Sequence, residues 1–183
     1  TLTVGTAMTA NAPTSNGGAV TSWTVSPTLP AGLALDSSTG EISGTPTTIT
    51  SSATYTVTAS NTGGSDSVVI TLVVNDVIPS SVVYGGSPYV LTNNSIMTAD
   101  TPTSSGGTVV SWTISPTLPA GLTLDSSTGE ISGTPTELSS LTVYTVTATN
   151  SGGTSTATIT IVVNDVVPTV SYSPDDLSMT NNT

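Results

Sequence analysis

A stretch of 22 residues, Ser26 to Thr47, returns from Ser115 to Thr136 with a single change, Ala34 becoming Thr123. Repetition this close requires a fold that builds one local unit twice, so the chain reads as an array before it reads as a domain. The local unit follows from its residues. Leu33 and Leu35 alternate with the two-residue period of a half-buried strand, and Ile42 resumes that face after a turn. Between them Asp36 can fold its carboxylate onto nearby backbone N–H groups, and Gly40 supplies a positive φ at little steric cost. Pro30 and Pro46 bracket the unit and end the regular pairing around it, because proline has no N–H to donate. The spacing predicts a strand–turn–strand cassette whose chemistry is that of folding.

The repetition extends beyond the cassette. Trp23 recurs at Trp112, Tyr55 at Tyr144 and Asn75-Asp76 at Asn164-Asp165, each 89 residues later. Leu2 to Thr9 aligns with Leu91 to Thr98 at the same offset, and Tyr172 to Asn182 aligns with Tyr84 to Asn94 at an offset of 88. The expected organisation is a repeat over residues 1–78 that lacks its opening segment, a complete repeat over 79–167, and the first strand region of a third over 168–183, in an array that continues at both ends. Within a repeat the strand signals are short and regular. They run Leu2 to Met8, Ala19 to Val25 with Trp23 and Val25 on one face, the cassette, Thr54 to Ser60 with Tyr55, Val57 and Ala59 inward, and Ser67 to Val74 with Val68, Ile70, Leu72 and Val74 on one face. Asn61-Thr62-Gly63-Gly64 is a hairpin signal between the last two. Roughly seven short strands in about 90 residues, with no helical period, predict an all-β chain of tandem Greek-key sandwiches.

The motif Leu-Pro-Ala-Gly-Leu-x-Leu-Asp-x-x-Thr-Gly-x-Ile-Ser-Gly-Thr-Pro, with the downstream Tyr-Thr-Val-Thr-Ala-x-Asn-x-Gly-Gly of Tyr55 to Gly64 and Tyr144 to Gly153, resembles the signature of the putative-Ig repeats of large bacterial surface proteins. These are relatives of the cadherin-like domain of dystroglycan. With the flanking strands the resemblance covers essentially the whole chain. It implies Ig-like or cadherin-like sandwiches used in tandem as a stalk or spacer, and it implies no particular ligand.

Charge excludes most other functions. All eleven charged side chains are Asp or Glu, and Lys, Arg, His and Cys are absent, for a net charge of −11. Nucleic-acid binding needs cations to displace phosphate counterions, and docking on anionic membrane needs them equally, so neither partner is expected. Ser–His or Cys–His nucleophiles, Schiff-base lysine and His-ligated zinc all lack their side chains, as do disulfides and Lys–Asn isopeptide staples. No apolar run approaches a membrane span.

Four candidate sites remain. Asn75-Asp76-Val77-Ile78-Pro79 and Asn164-Asp165-Val166-Val167-Pro168 resemble the calcium-binding linker of cadherins, Asp-x-Asn-Asp-Asn-x-Pro, with Val73 or Val162 in place of the first Asp and Val77 or Val166 in place of the second Asn. Calcium takes six to eight oxygens. Asp76 or Asp165, with carbonyls and a contribution from Asp36, Asp100 or Asp125, would make a weak site; the other reading is an Asx turn closing the last strand. Asp36 with Glu41 and Asp125 with Glu130 suggest a hydrolytic carboxylate pair, but their place across a tight turn, twice over, favours turn capping. Trp23 and Trp112 would stack on sugar if exposed; their alternation with Val25 and Ile114 makes them core residues. Asn93 and Asn181 open N-glycosylation sequons that act only in a suitable host.

The residues therefore predict a non-catalytic, extracellular or cell-surface spacer whose partners are the neighbouring repeats of its own chain. Self-association into fibres is the alternative, because the Val/Thr/Ile strands lack the lysines that commonly guard sheet edges. A carbohydrate-binding module is the third reading. The proline-stiffened junctions predict repeats held end to end.

Overall fold

The computed structural model of the chain describes residues 1–171, so Asn181 and nearly all of the third repeat's opening lie outside the described residues. The first repeat contains β1 (Leu2–Thr3), β2 (Ser22–Ser26), β3 (Leu33–Leu35), β4 (Ile42–Gly44), β5 (Thr50–Asn61) and β6 (Gly64–Asn75). The second contains β7 (Ser80–Val83), β8 (Tyr89–Thr92), β9 (Thr103–Ser105), β10 (Ser111–Ser115), β11 (Leu122–Leu124), β12 (Ile131–Gly133), β13 (Ser139–Asn150) and β14 (Gly153–Asn164). The chain is all-β, as its periodicity requires.

Each repeat places a four-stranded sheet on one layer, in the order β1-β6-β5-β2 and, equivalently, β8-β14-β13-β10. The short strand at one edge runs parallel to its neighbour, Leu2 opposite Val74 in the first repeat and Tyr89 opposite Ile161 in the second. The cassette supplies the other layer as the β3–β4 and β11–β12 ribbons, with Leu35 paired to Ile42 and Leu124 to Ile131. In the second repeat β7 and β9 pair as a further ribbon, and an isolated bridge ties Asp100 to Ile131.

The strand expected over Leu2 to Met8 ends at Thr3. Its backbone turns there, Gly5 taking φ +73° and the Thr6 N–H donating to the Thr3 carbonyl at 3.1 Å. The chain then crosses to the other layer, where the Met8 N–H donates to Gly44 O at 3.0 Å and the Asn11 N–H to Ile42 O at 2.9 Å. One segment thus serves both sheets, which a single strand cannot do. The central hairpin is longer than expected, twelve residues in each arm of both copies. In the first repeat the added residues are Thr50 to Ala53, Asn61, Gly64 to Asp66 and Asn75, nearly all polar or glycine, whose backbone pairs without an apolar face to reveal it.

The second repeat's core gathers Trp112, Tyr144, Val146, Ile131, Ile159 and Ile161 around Tyr84 and Tyr89. The first gathers Trp23, Leu29, Ile42, Tyr55 and Val57. Each such side chain stabilises by about 1.5–3 kcal/mol when removed from water. The face expected over Val68 to Val74 is only partly covered: Val74 is buried but Val68 is 57% exposed, whereas Ile159 and Ile161 of the second repeat are buried. The difference has a local cause, because β7 lies against β14 in the second repeat and the described residues of the first repeat include no counterpart of β7.

Candidate functional site

The carboxylates divide between turns and the seam joining the repeats. In the turns, Asp36 Oδ1 accepts the Ser38 N–H at 2.7 Å, the Ser38 hydroxyl at 2.6 Å and the Thr39 N–H at 3.0 Å. Asp125 does the same with Ser127 and Thr128. These bonds, the Ser38 and Ser127 hydroxyls foremost and the backbone N–H groups next, hold both carboxyls down at about 2 against the usual 3.8. A hydrolytic acid needs the opposite shift, so both are turn caps. The turns close further as Asp36 N–H donates to Glu41 O and Gly40 N–H to Asp36 O, each at 2.8 Å.

A folded-state pKa below the unfolded value stabilises above the unfolded value, and the contribution disappears as pH falls through the folded one. Thermal unfolding followed from pH 6 down to pH 1.5 is therefore expected to show a loss between about 3.8 and about 2 that shrinks in an Asp36→Asn, Asp125→Asn chain. An unchanged acid limb in the double variant would count against this capping role.

The seam is built from the second repeat's hairpin tip. Asn150, one of the few buried polar side chains, donates through Nδ2 to the Val77 carbonyl at 2.7 Å. Its Oδ1 accepts the Gly152 N–H at 2.8 Å and the Gly153 N–H at 3.2 Å. Ser151 Oγ accepts the Asp76 N–H at 2.9 Å. The passage is tight: a Cβ on Gly152 would overlap the Asp76 carbonyl, and one on Gly107 would overlap the Val77 carbonyl and come within 2.5 Å of Asp76 Cγ. Asn-x-Gly-Gly thus does two things, turning the hairpin and clasping the connection. The turn was readable from the sequence; the clasp was not, because Asn150 meets Val77 across 73 residues.

The expected junctional aspartates lie where the sequence puts them, each folded back on its own backbone. Asp76 Oδ1 accepts the Val77 N–H at 2.8 Å, and Asp165 Oδ1 the Val166 N–H at 2.7 Å. Asp36 and Asp125 are occupied in their turns, and Asp100 Oδ2 accepts the Gly86 N–H and the Tyr89 hydroxyl, both at 2.7 Å. Among the described residues no three Asp, Glu, His or Cys gather where one ion could be held. One carboxylate with neighbouring carbonyls is a thin donor set against six to eight oxygens.

The described aromatics are interior. Trp23, Trp112, Tyr55, Tyr84, Tyr89 and Tyr144 are all buried. The Tyr84 hydroxyl donates to Gly129 O at 2.6 Å, and burial, then the Asp100 charge, raises its pKa far above the usual tyrosine range. Asn93 of the first sequon is half-buried, with its Oδ1 enclosed and without a hydrogen-bond partner.

Comparison with known proteins agrees with this architecture. The family described as "Putative Ig domain" matches twice, over residues 1–75 and 71–164. A curated relative, "Serine-rich adhesin for platelets" of Staphylococcus aureus (strain MRSA252), is 35% identical over 132 residues, covering 71% of this chain and 10% of that protein. The chain therefore spans a tenth or less of the curated relatives it matches, 6% in strain USA300. Among solved structures, extracellular domains 3–5 of Drosophila OTK align over 88% of this chain and 57% of theirs at 16% identity and a TM-score of 0.48. The titin I-band fragment I67-I69 aligns over 90% of this chain and 62% of its own at 17% identity and a TM-score of 0.42.

Proposed function

The chain belongs to the Putative Ig domain family, and from that premise we propose that its repeats form a non-catalytic, extracellular spacer of a large cell-surface protein. The observation that carries the reading is the seam: Asn150, Ser151 and the neighbouring glycines fix Asp76 to Ile78 against the second repeat, so the connection is part of a folded unit. A spacer works by keeping its length, and a connection bonded at both of its first two residues loses the freedom of a loose linker. That a relative is named an adhesin supports the surface setting. The exclusively acidic charge supports it too, since like-charged neighbours resist collapse onto one another. Burial of the described aromatics argues against a sugar-stacking platform.

Small-angle scattering of the 183-residue chain at high dilution, in calcium and then in chelator, tests the reading. The expected result is one sharply bounded maximum dimension in both buffers. Asn150→Ala strips the Val77 carbonyl and the Gly152 and Gly153 N–H groups of their partner, at a cost of about 1–3 kcal/mol, and is expected to broaden the distance distribution. A broad distribution for the unaltered chain would contradict the spacer. A change of length confined to chelator would make Asp76 and Asp165 calcium ligands.

A further inference from the structure

The four-stranded sheet of the second repeat turns one face to the core and the other to solvent. None of its strands β8, β10, β13 and β14 contains a charged residue. Toward the hairpin tip the solvent face is a field of hydroxyls, Thr147 opposite Thr156 and Thr145 opposite Thr158. Toward the other end it turns apolar. Val143 lies opposite Thr160 and Val162 opposite Val90, while Leu141 stands in the bulge two residues before Val143. Leu141, Val143 and Val90 are 65%, 59% and 69% exposed, and Val162 between them is half-buried. These four side chains on three neighbouring strands form one patch.

The first repeat shows that the fold does not require this patch. It holds Ser52 where the second has Leu141 and Thr54 where the second has Val143. Thr54 lies opposite Thr71 as Val143 lies opposite Thr160, so the pairing is the same and only the side chains differ. A contiguous apolar surface rimmed by polar groups marks an interaction site, and charge selects the partner. Two copies, each at −11, repel wherever their carboxylates come near. The second repeat's Asp100, Asp125, Glu130, Glu137 and Asp165 all lie outside this sheet. Its solvent face is therefore where a second copy approaches with least repulsion. We infer that the second-repeat sheets of two chains pack face to face, pairing the chains side by side.

Such a contact is isologous, one surface meeting itself across a two-fold axis. The strand order β13-β14-β8 fits it. An axis along β14 sets Leu141 of each chain over Val90 of the other, with the two Val162 side chains between them. Packed sheets stand about 10 Å apart with their strands within about 30° of alignment, a gap that leucine and valine fill. The threonines around the patch form a polar rim that bonds directly or through water. Four strands at about 4.8 Å spacing, by roughly 25 Å along the central hairpin, project to about 400 Å² on each chain. A face of that size falls in the class of weak, reversible contacts and not of obligate dimers. Because Ser52 and Thr54 deny the first repeat the same patch, association stops at two chains. Salt screens the remaining repulsion and strengthens the pair.

Sedimentation equilibrium of the 183-residue chain over a dilution series, at low and at high salt, tests the pairing. Weight-average mass is expected to rise from one chain toward two and to level off there, with the midpoint at lower protein concentration in high salt. Leu141→Ser with Val143→Thr installs residues that the first repeat already carries in the same sheet, so the fold is kept. That double variant is expected to raise the midpoint concentration by about tenfold or more, since each chain loses the burial of two apolar side chains. Ser52→Leu with Thr54→Val builds the patch a second time and is expected to strengthen association. Monomeric mass for the unaltered chain at every concentration and salt overturns the inference and leaves the patch to a partner of another sequence. A midpoint unmoved by Leu141→Ser with Val143→Thr overturns it too, by placing the contact elsewhere. So does mass that climbs past two chains, because one patch accommodates one partner. The spacer reading concerns a single chain and stands or falls separately, by its scattering at high dilution.

Discussion

Trp112→Ala is expected to destabilise the second repeat by about 3–5 kcal/mol, the usual cost of deleting a buried tryptophan. Trp112 sits on β10 opposite Ala148, which is fully buried, and its ring lies against Gly129, which Pro102 also flanks. Nothing nearby is free to collapse into the space, because Tyr84 is fixed to the Gly129 carbonyl from the other side. At about 4–8 °C per kcal/mol for a domain of this size, the second repeat should melt tens of degrees earlier. Calorimetry should then resolve two transitions, with Trp23 as the remaining fluorophore reporting only the first repeat. Trp23→Ala is expected to cost less. Its ring borders a surface groove of about 630 Å³ that Pro13, Asn61 and Val68 also line, so water and neighbouring side chains can occupy part of the cavity, and the cavity contribution shrinks. Equal losses in the two repeats would show that the groove does not loosen the first core.

Gly129→Ala is the second large effect. The residue takes φ +77°, where a side chain costs about 1–2 kcal/mol. Its Cβ would also stand 2.7 Å from Trp112 Cδ2 and 2.8 Å from Pro102 Cγ. Neither neighbour can retreat, since the indole packs in the core and the Asp100 N–H is bonded to Ile131 O at 3.0 Å just before the proline. Overpacking of this kind adds about 1–3 kcal/mol. The cassette turn thus needs glycine for two independent reasons, and chemical denaturation should show a lower midpoint with little change in slope. A midpoint within error of the unaltered chain would mean that the turn relaxes more freely than its contacts indicate.

Much of this was legible beforehand because the relevant signals are local. The Asp36 cap, the Gly40 turn, the Asn61 hairpin and the inward face of Tyr55 and Val57 each depend on residues within a few positions, and each is where the spacing puts it. Non-local features escaped. Leu2 to Met8 has strand-forming residues throughout, yet only a contact with β4, some 35 residues away in sequence, decides that Met8 changes layers. β7 and β9 are short, and their bulge conceals the two-residue period. Val68 reads as core because its sequence cannot show that the strand covering its position in the second repeat has no described counterpart in the first. The seam was expected as a proline-stiffened linker, but its specificity resides in Asn150, placed there by the fold.

The parallel edge strand has a consequence for a chain pulled by its ends. β8 and β14 lie side by side in the same direction, with Tyr89 to Thr92 opposite Ile161 to Asn164. Tension drawing the start of one strand away from the end of the other slides them lengthwise, so their hydrogen bonds are loaded together in shear and none can peel off first. Forced unfolding is governed by the rate of crossing that barrier and not by equilibrium stability. Under load, then, the second repeat acts as a latch, holding its length until the whole contact gives way at once.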